Sequence, residues 1–386
     1  MASVIVSGAI ANKHQQGGEA WVRLSWVLGL KRLGFQVFFI EQIAPDACVD
    51  KAAVKAAFED CENLRYFKRT IEQFGLTGCA ALVYNNGEET WGATQEELID
   101  RAASADLLVN ISGHLSLEFL MSRLRRKVYI DIDPGFTQFW HADPNTEFRL
   151  EGHDFYFTIA ENIGAADCSI PNGDIHWRPT RQPLVLDDWP ARDHSQHPFT
   201  TIANWRGPFG MINAGNRTFG LKVHEFRKFV DLPRQSSQEF QIALNIHPGD
   251  SRDREMLIEH GWQIKDPLAV CNDPLAFREY VQNSAAEFSV AQGIYVDTNS
   301  GWFSDRTVRY LASGKPALIQ DTGFSKNLPV GEGLIAFRTL DEAVAGAESI
   351  ARDYERHSRA ARTLAEEYFD SDKVLNKLLN EVGVAP

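Results

Sequence analysis

The chain has 386 residues, of which 44% are hydrophobic and 24% are charged, and these ordinary globular proportions exclude a disordered, collagen-like or coiled-coil protein. Its length predicts two or three domains. The net charge of −13 weakens long-range attraction to nucleic acid and to anionic membranes, so no nucleic-acid partner is expected and any phosphate group must be bound by local contacts.

The sequence predicts no membrane span, zinc site or disulfide framework. Uncharged stretches such as residues 75–87 and 107–117 fall well short of the ~20 apolar residues that a spanning helix needs. The apolar run at residues 4–10 precedes the first charge, Lys13, and so lacks the basic start of a signal peptide. The five cysteines are scattered without a CxxC pair. We therefore expect a cytoplasmic protein with free thiols.

The start of the chain predicts a βαβ unit. An apolar strand at residues 3–10 leads into a loop that ends in Gly17 and Gly18, and apolar residues then recur at helical spacing as far as the C-cap glycine Gly34. The next strand follows at residues 35–40. The same alternation continues with a helical region at 52–74, a helix opened by the capping box of Thr94 and Glu97, and strands at 80–84, 107–111, 127–132 and 155–159.

Prolines between residues 178 and 198 interrupt this alternation and mark the expected domain boundary. Beyond it, strands are predicted at residues 200–204, 240–246, 262–265, 288–290, 293–297, 317–320 and 334–337, with helix N-caps at Asp273 and Thr339. The last predicted helices span residues 354–368 and 373–381.

Repeated βα units predict an α/β fold of two doubly wound, Rossmann-like domains. We place an N-terminal domain at residues 1–185, a second domain at 198–352 and C-terminal helices at 353–386. Open parallel sheets bind ligands at the carboxyl ends of their strands. The functional site is therefore expected in a central cleft where the two domains face each other.

Two strand-to-helix turns are candidate anion sites, because free backbone N–H groups and the helix dipole favour negative charge there. The first is the loop from His14 to Gly18, whose glycines permit a ligand to approach closely. It lacks the GxGxxG dinucleotide pattern, and a simple tight turn is the alternative. The second precedes the helix that begins near Ser304, with Arg306 or Arg309 to neutralise charge. Two ordinary turns with solvated arginines are the alternative there.

The residues from Ser300 to Ser304, the run at 311–319 and the polar turn at 321–323 resemble the donor-binding C-terminal domain of glycosyltransferases with the B-type fold of two Rossmann-like domains. The first βα unit, with its loop at residues 14–18, is similar to the first unit of that superfamily. The resemblance implies that the second domain holds a nucleoside diphosphate sugar, that the N-terminal domain holds the acceptor, and that the last helix crosses back over the N-terminal domain. It also implies no metal or other cofactor, because helix termini and basic side chains neutralise the leaving diphosphate.

This sequence departs from the motifs of individual subfamilies. Many retaining members carry two glutamates eight positions apart, and the matching positions here hold Gly301 and Arg309. Inverting members of the plant and antibiotic type place a histidine before Gly-Trp, where this chain has Asn299. The stereochemistry of the reaction is therefore left open.

Three residues are catalytic candidates. His114 follows a strand and His14 lies in the first βα loop, positions where relatives place a histidine that faces the sugar or acts as a base. Asp133, also after a strand, is a candidate for orienting a base or binding acceptor hydroxyls. A structural role is the alternative for each histidine, and a simple turn is the alternative for the Asp133 segment.

Other polar residues at strand ends are candidates for donor binding. Arg206 and Lys222 are candidates for contacts with the diphosphate, and His247 and Lys265 lie in loops of the kind that frame the nucleotide base. The complete predicted donor-binding set is Gly17, Gly18, Arg206, Lys222, His247, Lys265, Asn299, Ser300, Gly301, Trp302, Ser304, Arg306, Asp321, Thr322 and Gly323.

These observations favour a metal-independent, hexosyl-type transferase that moves a sugar from a nucleoside diphosphate donor to the hydroxyl of an unidentified acceptor. A sugar-nucleotide epimerase is the second hypothesis, since it shares two Rossmann-like domains and a nucleotide cleft. A non-catalytic protein that binds nucleotide or carbohydrate is the third, because the usual glutamate and histidine are missing.

Overall fold

The computed structural model describes residues 2–143, 146, 150–193, 195–207 and 209–385. Its first half, residues 2–185, is built on an eight-stranded sheet. The strands are β1 (Ser3–Ser7), β2 (Gln36–Ile43), β3 (Ala80–Tyr84), β4 (Glu89–Trp91), β5 (Leu107–Ile111), β6 (Lys127–Asp131), β7 (Phe155–Thr158) and β8 (Trp177–Pro179). They lie in the order β4-β3-β2-β1-β5-β6-β7-β8, and all neighbours are parallel except β3 and β4.

The second half, residues 198–352, is built on a six-stranded parallel sheet. The strands that follow in the chain are β9 (Phe199–Asn204), β10 (Ile212–Ala214), β11 (Arg217–Phe219), β12 (Phe240–Asn245), β13 (Gln263–Lys265), β14 (Ala286–Ser289), β15 (Ala317–Gln320) and β16 (Leu334–Phe337). The sheet has the order β13-β12-β9-β14-β15-β16, while β10 and β11 form a separate antiparallel hairpin.

Helices connect the parallel strands. In the first half they are α1 (Gly17–Arg32), α2 (Glu62–Gln73), α3 (Gln95–Ser104), α4 (Glu118–Met121) and α5 (Phe136–Ala142). In the second half they are α6 (Lys222–Phe226), α7 (Leu232–Gln235), α8 (Ser251–Glu259), α9 (Pro267–Val270), α10 (Pro274–Gln282), α11 (Gly293–Asp297), α12 (Asp305–Ala312) and α13 (Leu340–Arg352). The described chain ends with α14 (Tyr354–Tyr368) and α15 (Ser371–Val382). None of the described helices is long and apolar enough to cross a membrane.

The predicted alternation of strands and helices is confirmed, with one strand assigned wrongly. Residues 293–297 form the helix α11, because a short apolar run between two turns has the same pattern in a buried helix and in a buried strand. The helical region predicted at 52–74 is regular only from Glu62 onward. The capping boxes of Thr94 with Glu97 and of Thr339 with Glu342 are both present.

One apolar core runs through both halves. Trp21 on α1 packs edge-on against Trp189 at a ring separation of 5.0 Å, and its indole N–H donates to the carbonyl of Pro274 at the start of α10, at 2.7 Å. Trp189 in turn packs against Phe277. The buried indoles therefore hold α1 of the first half against α10 of the second.

The C-terminal helices contact the first half of the chain. The N–H of Leu184 donates to the carbonyl of Phe369, and the N–H of Ser371 donates back to the carbonyl of Leu184, both at 2.9 Å. A Cβ on Gly29 of α1 would lie 2.6 Å from a methyl of Leu375. Glycine at that position therefore permits α15 to pack closely on α1.

Candidate functional site

The candidate site lies where the carboxyl ends of the two sheets meet. The strand order reverses between β1 and β5 in the first sheet and between β9 and β14 in the second, and open α/β sheets bind ligands at such switch points. The starts of α1 and α10, which follow strands of different sheets, touch each other between Gly17 and Asp273. The two carboxyl edges therefore face a common cleft.

Glu41 organises the loop that follows β1. Its buried carboxylate accepts hydrogen bonds from the N–H groups of Ile10 (2.7 Å), Ala11 (2.8 Å) and Asn12 (2.8 Å). Burial raises the pKa of this carboxyl, although these donors act to lower it. The sequence analysis missed Glu41. The clue in the sequence was that Glu41 is a single acidic residue within an apolar strand. A carboxylate that is buried in this way needs buried hydrogen-bond donors.

His14 lies at the end of the same loop. Its Nδ1 is 3.1 Å from Nδ2 of Asn63, which also donates to the carbonyl of Ala11. Burial lowers the pKa of the His14 imidazole, with Glu62 acting in the opposite direction. The ring is therefore held in its neutral form near pH 7.

Gly17 and Gly18 form the contact between α1 and the second half. The N–H of Gly17 donates to the carbonyl of Cys271 at 2.9 Å. A Cβ on Gly17 would lie 2.0 Å from the carbonyl oxygen of Asp273, and one on Gly18 would lie 2.7 Å from the ring of Phe277. These contacts account for both glycines by packing, and the Gly17 N–H is already used in this conformation.

At the carboxyl end of β1, Glu19 lies within electrostatic reach of Lys13, Arg23, His114 and Asp133, and we call these five side chains the switch-point cluster. Glu19 and Arg23 form an ion pair one turn apart on α1. Arg23 is only 2% exposed, and its Nε has no hydrogen-bond partner. A Cβ on Gly8 would lie 2.7 Å from Cγ of Arg23, so a glycine after β1 leaves the space that Arg23 fills.

The two acids that end β6 have different surroundings. Asp131 accepts four hydrogen bonds of 2.7–3.1 Å, from the side chains of Thr137, Gln138 and Thr158 and from the N–H of Asp133. Asp133 lies within electrostatic reach of Glu19, and burial, Glu19 and Asp131 together raise the pKa of its carboxyl to about 7. Asp131 is therefore a structural acceptor, whereas Asp133 can hold or release a proton near neutral pH.

His114 enters the cluster after a left-handed turn. Ser112 and Gly113 have φ angles of +55° and +65°, which reverse the chain at the end of β5. Burial acts to raise the pKa of Glu19, but Arg23, Lys13 and His114 lower it overall. The imidazole of His114 therefore lies within electrostatic reach of Glu19, so that the structure brings His114 and Asp133 to the same edge.

The sequence permits either Ser300 or Ser304 to cap the helix at the second sheet, and Ser304 caps α12 by accepting a hydrogen bond from the N–H of Arg306 at 3.3 Å. The guanidinium of Arg306 donates to Glu287 (2.6 Å), to Ser289 (2.6 Å) and to the carbonyl of Ile202 (2.9 Å). The adjacent cavity measures about 10 Å³, which is room for one water molecule. The guanidinium of Arg306 is thus occupied by groups of its own sheet. A phosphate group can reach it only if the cavity at this edge becomes wider.

The two loops predicted to bind the donor sugar contact each other, and we call residues 299–302 and 321–323 the donor loops. The N–H of Gly301 donates to the carbonyl of Thr322 at 2.8 Å, and the Thr322 hydroxyl donates to the carbonyl of Trp302 at 2.6 Å. The hydroxyl of Ser300 donates to the carbonyl of Tyr295 at 3.0 Å. The ring of Trp302 stacks on Tyr295 at 4.4 Å.

Asp321 fixes the second donor loop from inside. It accepts hydrogen bonds at 2.8 Å from the N–H of Gly323, the hydroxyl of Ser325 and the guanidinium of Arg338. Both donor loops are also held by Asn162 of the first half, which the sequence analysis missed. The only local signal was a polar pair, Glu161 and Asn162, shortly after a strand.

The other predicted donor residues are spread along the second edge. Arg206 makes a two-point ion pair with Asp250 and is exposed. The Nζ of Lys222 donates to the carbonyl of Val290 at 3.1 Å, and burial and the nearby Arg306 lower its pKa to about 7. His247 is exposed and its Nδ1 accepts a hydrogen bond from the N–H of Gly249. Lys265 ends the edge strand β13, two strands away from the switch point.

Arg309, at the position of the usual ribose-binding glutamate, is a buried interdomain residue. It is 2% exposed and pairs with Asp305 at 2.8 Å on the same helix. A second guanidinium nitrogen is 3.4 Å from the hydroxyl of Ser25 on α1, and the group lies over the ring of Trp189. Burial lowers the pKa of Arg309, with Arg23 acting in the same direction. Arg309 therefore joins the two halves.

No group of three or more His, Cys, Asp or Glu side chains in the described parts of the chain is arranged to hold a metal ion.

Comparisons with known proteins relate this architecture to solved structures. A scan against protein-family models finds none that matches the chain, and no curated protein matches it. The Anabaena protein HepE, solved in complex with UDP-glucose, is 11% identical with a TM-score of 0.59, over 99% of this chain and 100% of that one. A glycosyltransferase from Rickettsia africae is 11% identical with a TM-score of 0.54, over 99% and 98%. Sucrose-phosphate synthase from Thermosynechococcus elongatus is 10% identical with a TM-score of 0.52, over 99% of both.

This chain has the B-type glycosyltransferase fold. The likeness extends over both sheets and the returning C-terminal helices, because it covers 99% of the chain in each comparison. The carboxylate of Asp133, in the switch-point cluster, lies within electrostatic reach of Tyr295, and the ring of Tyr295 stacks on Trp302 of the donor loops.

Proposed function

We propose that the chain is a glycosyltransferase that moves a hexose from a nucleoside diphosphate sugar to an acceptor hydroxyl, without a bound metal ion. The observation that carries this proposal is that Asp133 of the switch-point cluster lies within electrostatic reach of Tyr295, whose ring stacks on Trp302 of the donor loops. In this proposal, residues 198–352 bind the donor and residues 1–185 bind the acceptor. The UDP-glucose in the structure of HepE, a protein of the same fold, supports the class of donor.

Each edge then has its own task. The donor loops lie against the sugar and the diphosphate, and the hydrogen bonds of Asp321 and of the Thr322 hydroxyl hold these loops in shape. Arg206 and Lys222 supply positive charge for the leaving diphosphate, which stabilises the transition state as charge develops. In the switch-point cluster, His114 and Asp133 bind the acceptor hydroxyl and handle its proton.

Entry of the donor requires the two halves to separate. Gly17 and Gly18 lie against α10, and the cavity beside α12 measures about 10 Å³. Closure around a bound donor then excludes the water that would otherwise hydrolyse it. The structure is therefore interpreted as the closed arrangement of the enzyme.

A nucleotide panel tests this proposal without knowledge of the acceptor. Diphosphates of uridine, guanosine, adenosine and thymidine, and their sugars, are added to the chain in thermal unfolding. A ligand that binds the folded state raises the midpoint by mass action. We expect the diphosphate of one base to stabilise the wild-type chain, and its affinity to fall about tenfold in Arg206→Ala. The matching sugar nucleotide is expected to be hydrolysed slowly.

Arg234→Ala is the matched control, since Arg234 is also an exposed arginine paired with an aspartate in the second half. It is expected to keep the wild-type affinity. A wild-type chain that no nucleotide stabilises at millimolar concentration contradicts the proposal. Binding without hydrolysis or transfer would favour a non-catalytic binding protein.

A further inference from the structure

Asn162 connects the first half to both donor loops. It follows β7 and is 5% exposed. Its Nδ2 donates to the carbonyl of Asn299 at 3.0 Å and to the carbonyl of Gly323 at 3.1 Å, while its Oδ1 accepts from Nδ2 of Asn327 at 2.8 Å. Its backbone N–H donates to the carbonyl of Ser300 at 3.1 Å. A single residue thus bonds to both loops and to the turn behind them.

Two glycines of the donor loops make the space that Asn162 fills. Gly301 and Gly323 have φ angles of +74° and +93°, where side chains are strained. A Cβ on Gly301 would lie 2.8 Å from Cγ of Asn162, and one on Gly323 would lie 2.6 Å from its Nδ2. The conformation of both loops is therefore matched to the presence of this side chain.

The segment around Asn162 follows the first donor loop along its length. Ala160 forms a bridge with Trp302, and the N–H of Ser169 donates to the carbonyl of Thr298 at 3.1 Å. The Nδ2 of Asn299 donates to the carboxylate of Asp167 at 2.7 Å. Residues 160–169 of the first half therefore dock against the donor side of the cleft, with Asn162 at the point that reaches both loops.

We infer that Asn162 is a positioning residue that sets the conformation of the two donor loops from the opposite half of the chain. This inference rests on the proposed function in assigning the loops to a nucleotide sugar. The carbonyls of Asn299 and Gly323 take their observed directions only while the Asn162 amide donates to them. The donor loops then adopt their binding conformation when the two halves close. A donor that binds this conformation therefore also stabilises the closed arrangement.

Asparagine is suited to this task by its mixed chemistry. Its amide nitrogen supplies two donors to two carbonyls, and its oxygen accepts the Asn327 amide. An aspartate of the same shape places a carboxylate oxygen against the two carbonyls, so that acceptors face acceptors. Asn162→Asp therefore tests the donor role of the amide without changing the packed volume.

The experiment compares Asn162→Ala and Asn162→Asp with the wild-type chain in hydrogen–deuterium exchange of residues 298–302 and 320–324, with no ligand. We expect exchange in both loops to rise at least about tenfold, because buried carbonyls lose their partner. Asn63→Ala is the matched control. Asn63 is also a buried asparagine with three side-chain hydrogen bonds, all within the first half, and its substitution should leave exchange of the donor loops unchanged.

The same variants are titrated with UDP and UDP-glucose by calorimetry. Affinity for a nucleotide that binds the wild-type chain should fall about tenfold or more in both Asn162 variants. Unchanged exchange in the Asn162 variants, or exchange that rises equally in Asn63→Ala, overturns the positioning role. An unchanged affinity overturns its link to the donor. A wild-type chain that binds neither nucleotide, with exchange raised by Asn162→Ala, excludes a uridine diphosphate donor and supports the positioning role.

Discussion

Asp133 lies within electrostatic reach of Glu19 at the carboxyl edge of the first sheet, although 114 positions of sequence separate them. The ion pair of Glu19 with Arg23 lowers the pKa of Glu19, while burial and the neighbouring carboxylates raise the pKa of Asp133 to about 7. The two acids at this edge therefore differ in proton affinity. Near neutral pH Glu19 stays charged, whereas Asp133 can take up and release a proton.

Asp133→Asn is expected to stabilise the chain in a pH-dependent manner. The pKa of the folded carboxyl, about 7, lies above its ordinary value of 3.8, so its ionisation in the folded state costs free energy. The variant should match the wild type below about pH 4 and gain stability as the pH rises to about 7. The gain is at most ~4 kcal/mol, from ~1.4 kcal/mol per tenfold change in proton affinity.

Urea unfolding at intervals from pH 4 to pH 8 measures this difference. Asp100→Asn, at an exposed position on α3, is the control and should follow the wild type at every pH. Parallel stability profiles for Asp133→Asn and the wild type would show that Asp133 ionises normally in the folded chain.

Gly17→Ala is expected to separate the two halves. The new Cβ would lie 2.0 Å from the carbonyl oxygen of Asp273, and both atoms belong to rigid helix starts, so α1 and α10 must move apart. We expect a loss of about 1–3 kcal/mol in unfolding free energy and a larger radius of gyration in small-angle scattering. Gly210→Ala, where a Cβ meets no atom within 4 Å, should change neither quantity. A Gly17→Ala chain of wild-type stability would mean that this contact does not hold the halves together.

Arg309→Ala is expected to cost about 3 kcal/mol, because it leaves Asp305 without its partner at a buried interface. Arg359→Ala removes an ion pair of the same spacing, with Glu355, on an exposed helix face, and should cost less than about 0.5 kcal/mol. Chemical denaturation of the two variants gives the comparison. Equal losses would show that burial of the Arg309 pair does not increase its contribution.

Glu41→Gln is expected to disorder the loop that carries His14. One carboxylate oxygen that now accepts backbone N–H groups becomes an amide nitrogen, so at least one donor in residues 10–12 is left without an acceptor. The expected loss is about 1.5–3 kcal/mol, as for hydrogen bonds to a charged group. Amide exchange of residues 10–14 measures the local effect. If these amides stay protected as in the wild type, the loop does not depend on the Glu41 charge.

Local patterns predicted most of the secondary structure. Two helices begin with capping boxes, formed by Thr94 with Glu97 and by Thr339 with Glu342. These contacts join residues three positions apart, so they depend only on local sequence. Gly34 ends α1 with a φ of +93° for the same local reason. The apolar run at 293–297 was assigned wrongly because its pattern permits two structures and its neighbours in space decide between them.

The candidate site was predictable only in outline. The second donor loop and His114 follow strands directly, and the rule that parallel sheets bind ligands at their carboxyl ends places such residues at one edge. The first donor loop follows the helix α11. The same rule did not select Glu41, Arg23 or Asn162. The role of each of these residues depends on hydrogen-bond partners that are distant in the chain, or on neighbouring glycines that leave space for its side chain.

Sequence periodicity and helix-capping chemistry thus account for the two α/β halves and for the edges where their ligands bind, because those signals act within a few residues. The use of each polar group depends on long-range packing. Gly17 meets Asp273 and Asn162 bonds to the donor loops only when the halves come together. Arg306 pairs with Glu287 only when the second sheet has folded, since burial and hydrogen-bond partners are properties of the folded chain.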